Sequence, residues 1–115
     1  MTPDDVIRIR HMIEAADAAA GFVAGKTRGD LTDNRMLLFA LVRAVEIIGE
    51  AASRVSMPTR ASIPDIPWVQ IVGMRNRLIH AYFDIDADIL WKTVVEEIPP
   101  LLPVLQHHVQ PGSST

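Results

Sequence analysis

The sequence predicts an all-α protein, an antiparallel bundle of four to five helices, and three observations lead there. Apolar residues recur at helical spacing along most of the chain, and no stretch alternates as a half-buried strand does. The composition is 49% hydrophobic but only 5% aromatic, which suits closely packed helices and argues against disorder. At 115 residues the chain has room for one core. It reads as a single helical domain over residues 1–108, followed by a flexible tail at 109–115 that ends in "QPGSST".

The elements follow in order. Thr2 reads as an N-cap, Pro3 as the first helical position, and Asp4 and Asp5 as first-turn acids. Ile9, Met12, Ile13, Ala16, Ala20 and Val23 then keep helical spacing, so a first helix runs to Val23. "GKTRGD" is a polar connection. A second helix starts near Thr32 or Asp33 and turns Met36, Leu37, Ala40, Leu41, Ala44, Ile47, Ile48, Ala51 and Val55 to one broad face. Its Gly49 costs roughly 1 kcal/mol relative to Ala, which implies a close helix crossing at that point.

Residues 57–67 hold three prolines and are irregular, with room for a short helical turn near Thr59. Pro67 opens a third helix carrying Trp68, Val69, Ile71, Val72, Leu78 and Ile79. Asp84 or Asp86 caps a fourth helix with Ile89, Leu90, Trp91, Val94, Val95 and Ile98. Pro99 and Pro100 break it, and Leu101, Leu102, Val104 and Leu105 form a last apolar turn or two.

The chain has no cysteine, so disulfides and thiolate metal sites are excluded. No leader-like opening and no membrane-length apolar run stands out, so a soluble, cytoplasmic protein without a membrane partner is expected. The net charge of −3 is unevenly spread. Residues 54–82 carry Arg54, Arg60, Arg75 and Arg77 against Asp65 alone, whereas the segments on both sides are acidic. A local positive site in an acidic chain suits selective engagement of an anion better than coating of long nucleic acid.

Within that positive third lies "GMRNRLIHAYFDID", residues 73–86. The motif sits in the C-terminal half of the third helix, so Asn76 and His80 share a face, and Asn76 can fix the imidazole tautomer. Arg75 and His80, about 140° apart around such a helix, then meet through the length of the arginine or in a two-fold dimer. An imidazole passes protons near neutral pH, and a guanidinium holds a phosphate and stabilises charge growing on it. RNA supplies its own 2′-hydroxyl nucleophile, so this small set is sufficient for cleavage without metal or other cofactor. The same residues also serve a structural polar patch, and the chemistry alone does not choose.

The stretch "WVQIVGMRNRLIHAYFDIDADILW" resembles the signature of the HepT-like family of HEPN helical domains: Arg, four residues, His, one residue, Tyr, here Arg75, His80 and Tyr82. Asn76 fits the same pattern, and "AVEIIGEAA" at 44–52 resembles the second-helix block, with Glu46, Gly49 and Glu50 in place. The resemblance implies a HEPN-like fold and an RNase toxin of a type II-like toxin–antitoxin pair, homodimeric, with its cleft along the motif helices. It implies Arg75 and His80 as catalytic, Asn76 as supporting, and Tyr82 as the residue to which a minimal nucleotidyltransferase antitoxin transfers AMP from ATP. Glu46 and Glu50 are further candidates for the cleft. The alternative is a non-catalytic helical module that binds a nucleotide or a protein partner in the same cleft.

Other polar residues read more plainly. His107 and His108 point to different faces and make poor metal partners, and His11 is a surface or packing residue. Asp84, Asp86 and Asp88 lack the glycine and closing glutamate of a calcium loop and read as caps and first-turn acids. Trp68 and Trp91 are expected to anchor the core.

Overall fold

The structure is a computed structural model that describes residues 1–81 and 84–109, the side chains of His80 and Ala81 excepted. Its frame is a pair of long helices, α1 (Pro3–Val23) and α3 (Arg35–Ser53). Small side chains let the two approach closely: Ala15, Ala16 and Ala19 on α1 and Ala44, Ala51 and Ala52 on α3 are all buried. Larger ones, among them Ile9, Met12, Leu41, Val45 and Ile48, fill the space between the elements.

Helix α1 begins as expected. The Thr2 hydroxyl accepts from the Asp5 backbone N–H at 3.1 Å, and the Asp5 carboxylate accepts from the Thr2 N–H at 3.4 Å, a reciprocal cap worth about 1 kcal/mol. Asp5 also reaches beyond its helix. It is 2% exposed and accepts from the Ser56 N–H at 2.9 Å, the Ser56 hydroxyl at 2.7 Å and the Thr59 hydroxyl at 2.6 Å. These donors, Thr59 foremost, hold its carboxyl well below the usual carboxylate range. The start of α1 is thereby tied to the short helix α4 (Met57–Ser62), which realises the turn expected near Thr59.

The second long helix starts later than its sequence suggests. A one-turn helix α2 (Asp30–Asp33) comes first, and Asn34 then caps α3 by accepting from the Leu37 N–H at 3.0 Å. Met36, in the first turn of α3, is 83% exposed, where its spacing had placed it on the core face. Gly49 behaves as expected of a crossing point. A Cβ there would lie 3.4 Å from the Ile71 carbonyl oxygen and 3.6 Å from that of Val72.

The third helix is where sequence and structure part. It is two short pieces, α5 (Trp68–Val72) and α6 (Met74–Leu78), with Gly73 between them. The chain leaves helical geometry at Ile79, φ −112° and ψ 103°, and enters strand β1 (Ile79–Ala81), paired antiparallel with β2 (Asp84–Ile85). Ile79 faces Ile85, both half-buried against the core, and the Asp86 N–H donates to the Leu78 carbonyl at 2.7 Å. Packing two β-branched residues across this hairpin thus replaces another helical turn. His80 therefore lies in a strand, and the helical face it was expected to share with Asn76 does not exist.

Asp86 then caps α7 (Ala87–Lys92), accepting from the Ile89 N–H at 3.0 Å. A π-helical turn, Thr93–Glu97, continues it to the break at Pro99 and Pro100, after which α8 (Leu101–His108) runs back along α1. Val109, assigned from sequence to the tail, is buried at 5%. The rest of that tail, 110–115, lies outside the described residues. The class is all-α, with the hairpin as a local exception. No helix among the described residues is long and apolar enough to cross a membrane.

Candidate active site

The four arginines of the positive third separate into different kinds once their partners are known. Arg60 donates to the carbonyls of Val55, Ala52 and Ser53 at 3.0, 3.1 and 2.9 Å, closing the end of α3, and lies 6.0 Å over the Trp68 ring. Arg77 donates to the Gln70 carbonyl at 3.2 Å and sits 3.7 Å from Glu97, stapling α6 to its neighbours. Both serve the fold.

Arg75 is different. Its Nε donates to Glu46 Oε2 at 2.8 Å, joining α6 to the middle of α3. The arginine side chain is 49% exposed and the glutamate 23%. Among the described residues its two terminal nitrogens have no further partner, so four N–H donors are available to an incoming oxyanion. The single Nε bond leaves that fork outward, and the carboxylate fixes its direction.

Around this pair lies an open groove of about 180 Å³ lined by Glu46, Gly49, Glu50, Ser53, Val72, Arg75 and Asn76. Its α3 wall follows from spacing: residues 46, 49, 50 and 53 repeat on one helical face. Gly49 has a second consequence here. The α5 carbonyls pass so close to Gly49 that there is room for no more than a methyl group, and this approach brings Val72 and Arg75 into the groove beside Glu46. Asn76 reaches the groove from α6, and its side chain has no partner among the described residues.

The structure thus brings together Arg75, Asn76, Glu46 and Glu50, four of the residues singled out from sequence. The His80 backbone is placed two residues beyond the end of α6, in β1, while its side chain and all of Tyr82 lie outside the described residues. Ser53 and Val72 were not foreseen. For Ser53 the signal was present, as the next position along the face marked by Glu46 and Glu50. For Val72 there was none, because its place depends on how α5 crosses α3.

The plainer readings also have their partners. His108 lies 3.5 Å from Asp65, Asp88 pairs with Arg28 at 2.6 Å, and His11 is exposed. Trp68 is buried and donates through its indole N–H to the Ile63 carbonyl at 3.1 Å, whereas Trp91 is half-buried at the edge of the core. Among the described residues no three His, Asp or Glu side chains converge as metal ligands would.

The sequence pattern of the family described as Ribonuclease HepT-like matches residues 12–108. A Methanocaldococcus jannaschii protein whose name marks it as a candidate RNase is 39% identical over 90 residues, covering 78% of this chain and 83% of that one. A Thermococcus cleftensis protein named as a probable ribonuclease HepT is 46% identical over 72 residues, 63% of this chain and 66% of that one. A candidate RNase of Caldanaerobacter subterraneus subsp. tengcongensis is 36% identical over 93 residues, 81% and 83% of the two chains. No solved structure matches the chain. The match over residues 12–108 takes in both walls of the groove, and the chain belongs to the HepT-like ribonuclease family.

Proposed function

We propose that this protein is a metal-independent endoribonuclease, the toxin of a toxin–antitoxin pair, acting in the cytoplasm. The observation that carries the reading is Arg75, held by one bond to Glu46 at the edge of an open groove, with the rest of its guanidinium unpaired among the described residues. Family membership and the RNase names of the relatives support the same reaction class.

In this reading the 2′-hydroxyl of the substrate attacks the adjacent phosphorus and the 5′-oxygen of the next nucleotide leaves, giving a 2′,3′-cyclic phosphate and a 5′-hydroxyl. Arg75 binds the non-bridging oxygens and stabilises the charge that grows on them. His80 moves the proton, and Asn76 supports from the same wall as Arg75. The reaction requires a base for the 2′-hydroxyl and an acid for the departing oxygen, and a two-fold pair of chains supplies two imidazoles.

A homodimer is supported by the surface around the groove. Met36 and Val69 are each 83% exposed, and Phe39 and Val72 are also open to solvent. Met36, Phe39 and Glu46 follow one side of α3, and Val72 lines the groove itself. Exposed apolar side chains on the helices that line a polar groove are a usual mark of a protein interface.

Control at Tyr82 belongs to the same reading, and the resemblance of Arg75, His80 and Tyr82 to the family pattern supports it. A minimal nucleotidyltransferase antitoxin directs the tyrosine hydroxyl onto the α-phosphorus of ATP. The phenolic proton is lost, pyrophosphate leaves, and AMP remains as a phosphodiester. That group places bulk and negative charge two residues from His80, competing with RNA for the guanidinium.

The test is cleavage of a defined RNA by purified protein in the presence of chelator, with and without prior incubation with the cognate nucleotidyltransferase and ATP. Cleavage without metal, and its loss with one AMP per chain mapped to Tyr82, is the expected result. Cleavage only with added divalent metal overturns the mechanism. RNA binding without any cleavage turns the assignment to a binding module.

A further inference from the structure

A second groove adjoins the first. It is about 230 Å³ in volume and is lined by Arg8 and His11 from α1 and by Arg43, Ile47, Glu50, Ala51 and Arg54 from α3. Glu50 lines both grooves, so the two meet along α3. Three arginines face one carboxylate here, in a chain whose net charge is −3. Among the described residues Glu50 engages only Arg43, loosely, at 3.7 Å, with both side chains more than half exposed. Arg8 and Arg54 have no hydrogen-bond or ion-pair partner among the described residues. Neither serves the fold as Arg60 and Arg77 do.

We propose that this groove is a second phosphate subsite, which holds the backbone of single-stranded RNA away from the scissile bond. The inference rests on the ribonuclease reading and adds to it the form of the substrate. Arg43 on α3 and Arg54 at its C-cap stand about three turns apart, roughly 16 Å, so the arginines span more than the footprint of one phosphate. The lining is dominated by guanidinium forks for phosphate oxygens, with one imidazole, His11, and no Phe, Tyr or Trp ring to stack successive bases. Recognition is therefore of the backbone and tolerant of sequence, and selectivity lies in the first groove. Strand continuity follows from Glu50, the shared boundary across which a chain bound at Arg75 passes toward Arg54. Its negative charge steers the phosphates to the arginines on either side of it.

The experiment uses the full chain and a fully 2′-O-methylated single-stranded oligonucleotide, which binds but lacks the attacking hydroxyl. Its affinity is read by fluorescence anisotropy across a salt series. Arg8→Gln/Arg54→Gln is expected to weaken binding about tenfold, with the slope of log affinity against log salt reduced by about 1.4, near 0.7 per lost phosphate contact. Each single substitution should take about half of that slope, and Arg8→Lys/Arg54→Lys should keep it. Cleavage of a dinucleotide, which spans only the scissile phosphate, should keep its kcat and KM in the double variant. An unchanged slope and affinity in folded double variant, with the parent still cutting RNA, overturns the subsite alone. A parent that neither binds the oligonucleotide nor cuts RNA overturns the ribonuclease reading, and the subsite with it.

Discussion

Two carboxylates on the two long helices make opposite use of the same chemistry. Asp5 on α1 is 2% exposed and accepts from two hydroxyls and two backbone N–H groups, all within the protein. Glu46 on α3 is 23% exposed and takes one bond, from an arginine that keeps its other donors. The first arrangement is closed, since every lone pair that matters is used by the fold. The second is open, since its partner can still bind something else. A buried, fully bonded carboxylate contributes stability, whereas an exposed ion pair contributes about 0–1 kcal/mol and so does little for the fold. That contrast is the physical basis for placing function at Arg75 and scaffold at Asp5.

Breaking the open site should cost rate and little else. His80→Ala is expected to lower RNA cleavage by about 10²–10⁴ with no loss of helicity, measured by single-turnover kinetics and circular dichroism. A His80→Ala protein that cuts at the parent rate removes the imidazole from the mechanism.

Breaking the closed site should do the reverse. Asp5→Asn leaves donors facing an amide with half the acceptor capacity, and is expected to lower Tm by about 5 °C or more, with the rate per folded molecule unchanged. The pH dependence gives a sharper check. The Asp5 pKa is depressed below its ordinary value of 3.8, so its stabilisation is fully present above that value and fades as pH falls through it toward the folded pKa. The gap in Tm between parent and Asp5→Asn should therefore hold constant above about pH 5 and shrink on further acidification. A gap that persists in acid contradicts the ionised network.

Smaller effects sharpen the contrast. Glu46→Gln retains an acceptor for Arg75 but removes a negative charge beside the substrate phosphate. Its effect should be on the order of 0.2–1 kcal/mol, seen as KM for RNA falling by up to about fivefold, with Tm nearly unchanged. Gly49→Ala is expected to be neutral or stabilising by up to about 1 kcal/mol, because its Cβ meets the Ile71 carbonyl oxygen at ordinary contact distance while helix propensity improves. A larger side chain at 49 should separate α3 from α5 and lower both Tm and rate.

How much of this was legible in the sequence differs by element. Helix α1 was legible because Thr2, Pro3 and Asp5 are local signals that act within four residues. Gly49 announced its crossing because a glycine in a helix interior costs roughly 1 kcal/mol relative to Ala and marks where another backbone passes close. The end of the motif helix was not legible. Residues 77–81, Arg-Leu-Ile-His-Ala, have no breaker, and what stops the helix is a pairing of Ile79 with Ile85 across six residues of chain. The arginines were indistinguishable on paper as well. Arg60 and Arg77 are structural because carbonyls of distant turns lie within reach, a fact of packing rather than of residue type.

The most direct test of the contrast is a paired measurement on Arg75→Ala: its thermal melt, and its rate of RNA cleavage under chelator. The account predicts a Tm close to the parent's, because only an exposed ion pair is lost, and a rate lower by about 10²–10⁴, because the growing charge on phosphorus loses its guanidinium. A variant that melts many degrees lower yet cuts at the parent rate per folded molecule would contradict it, and would return Arg75 to the scaffold beside Arg60 and Arg77.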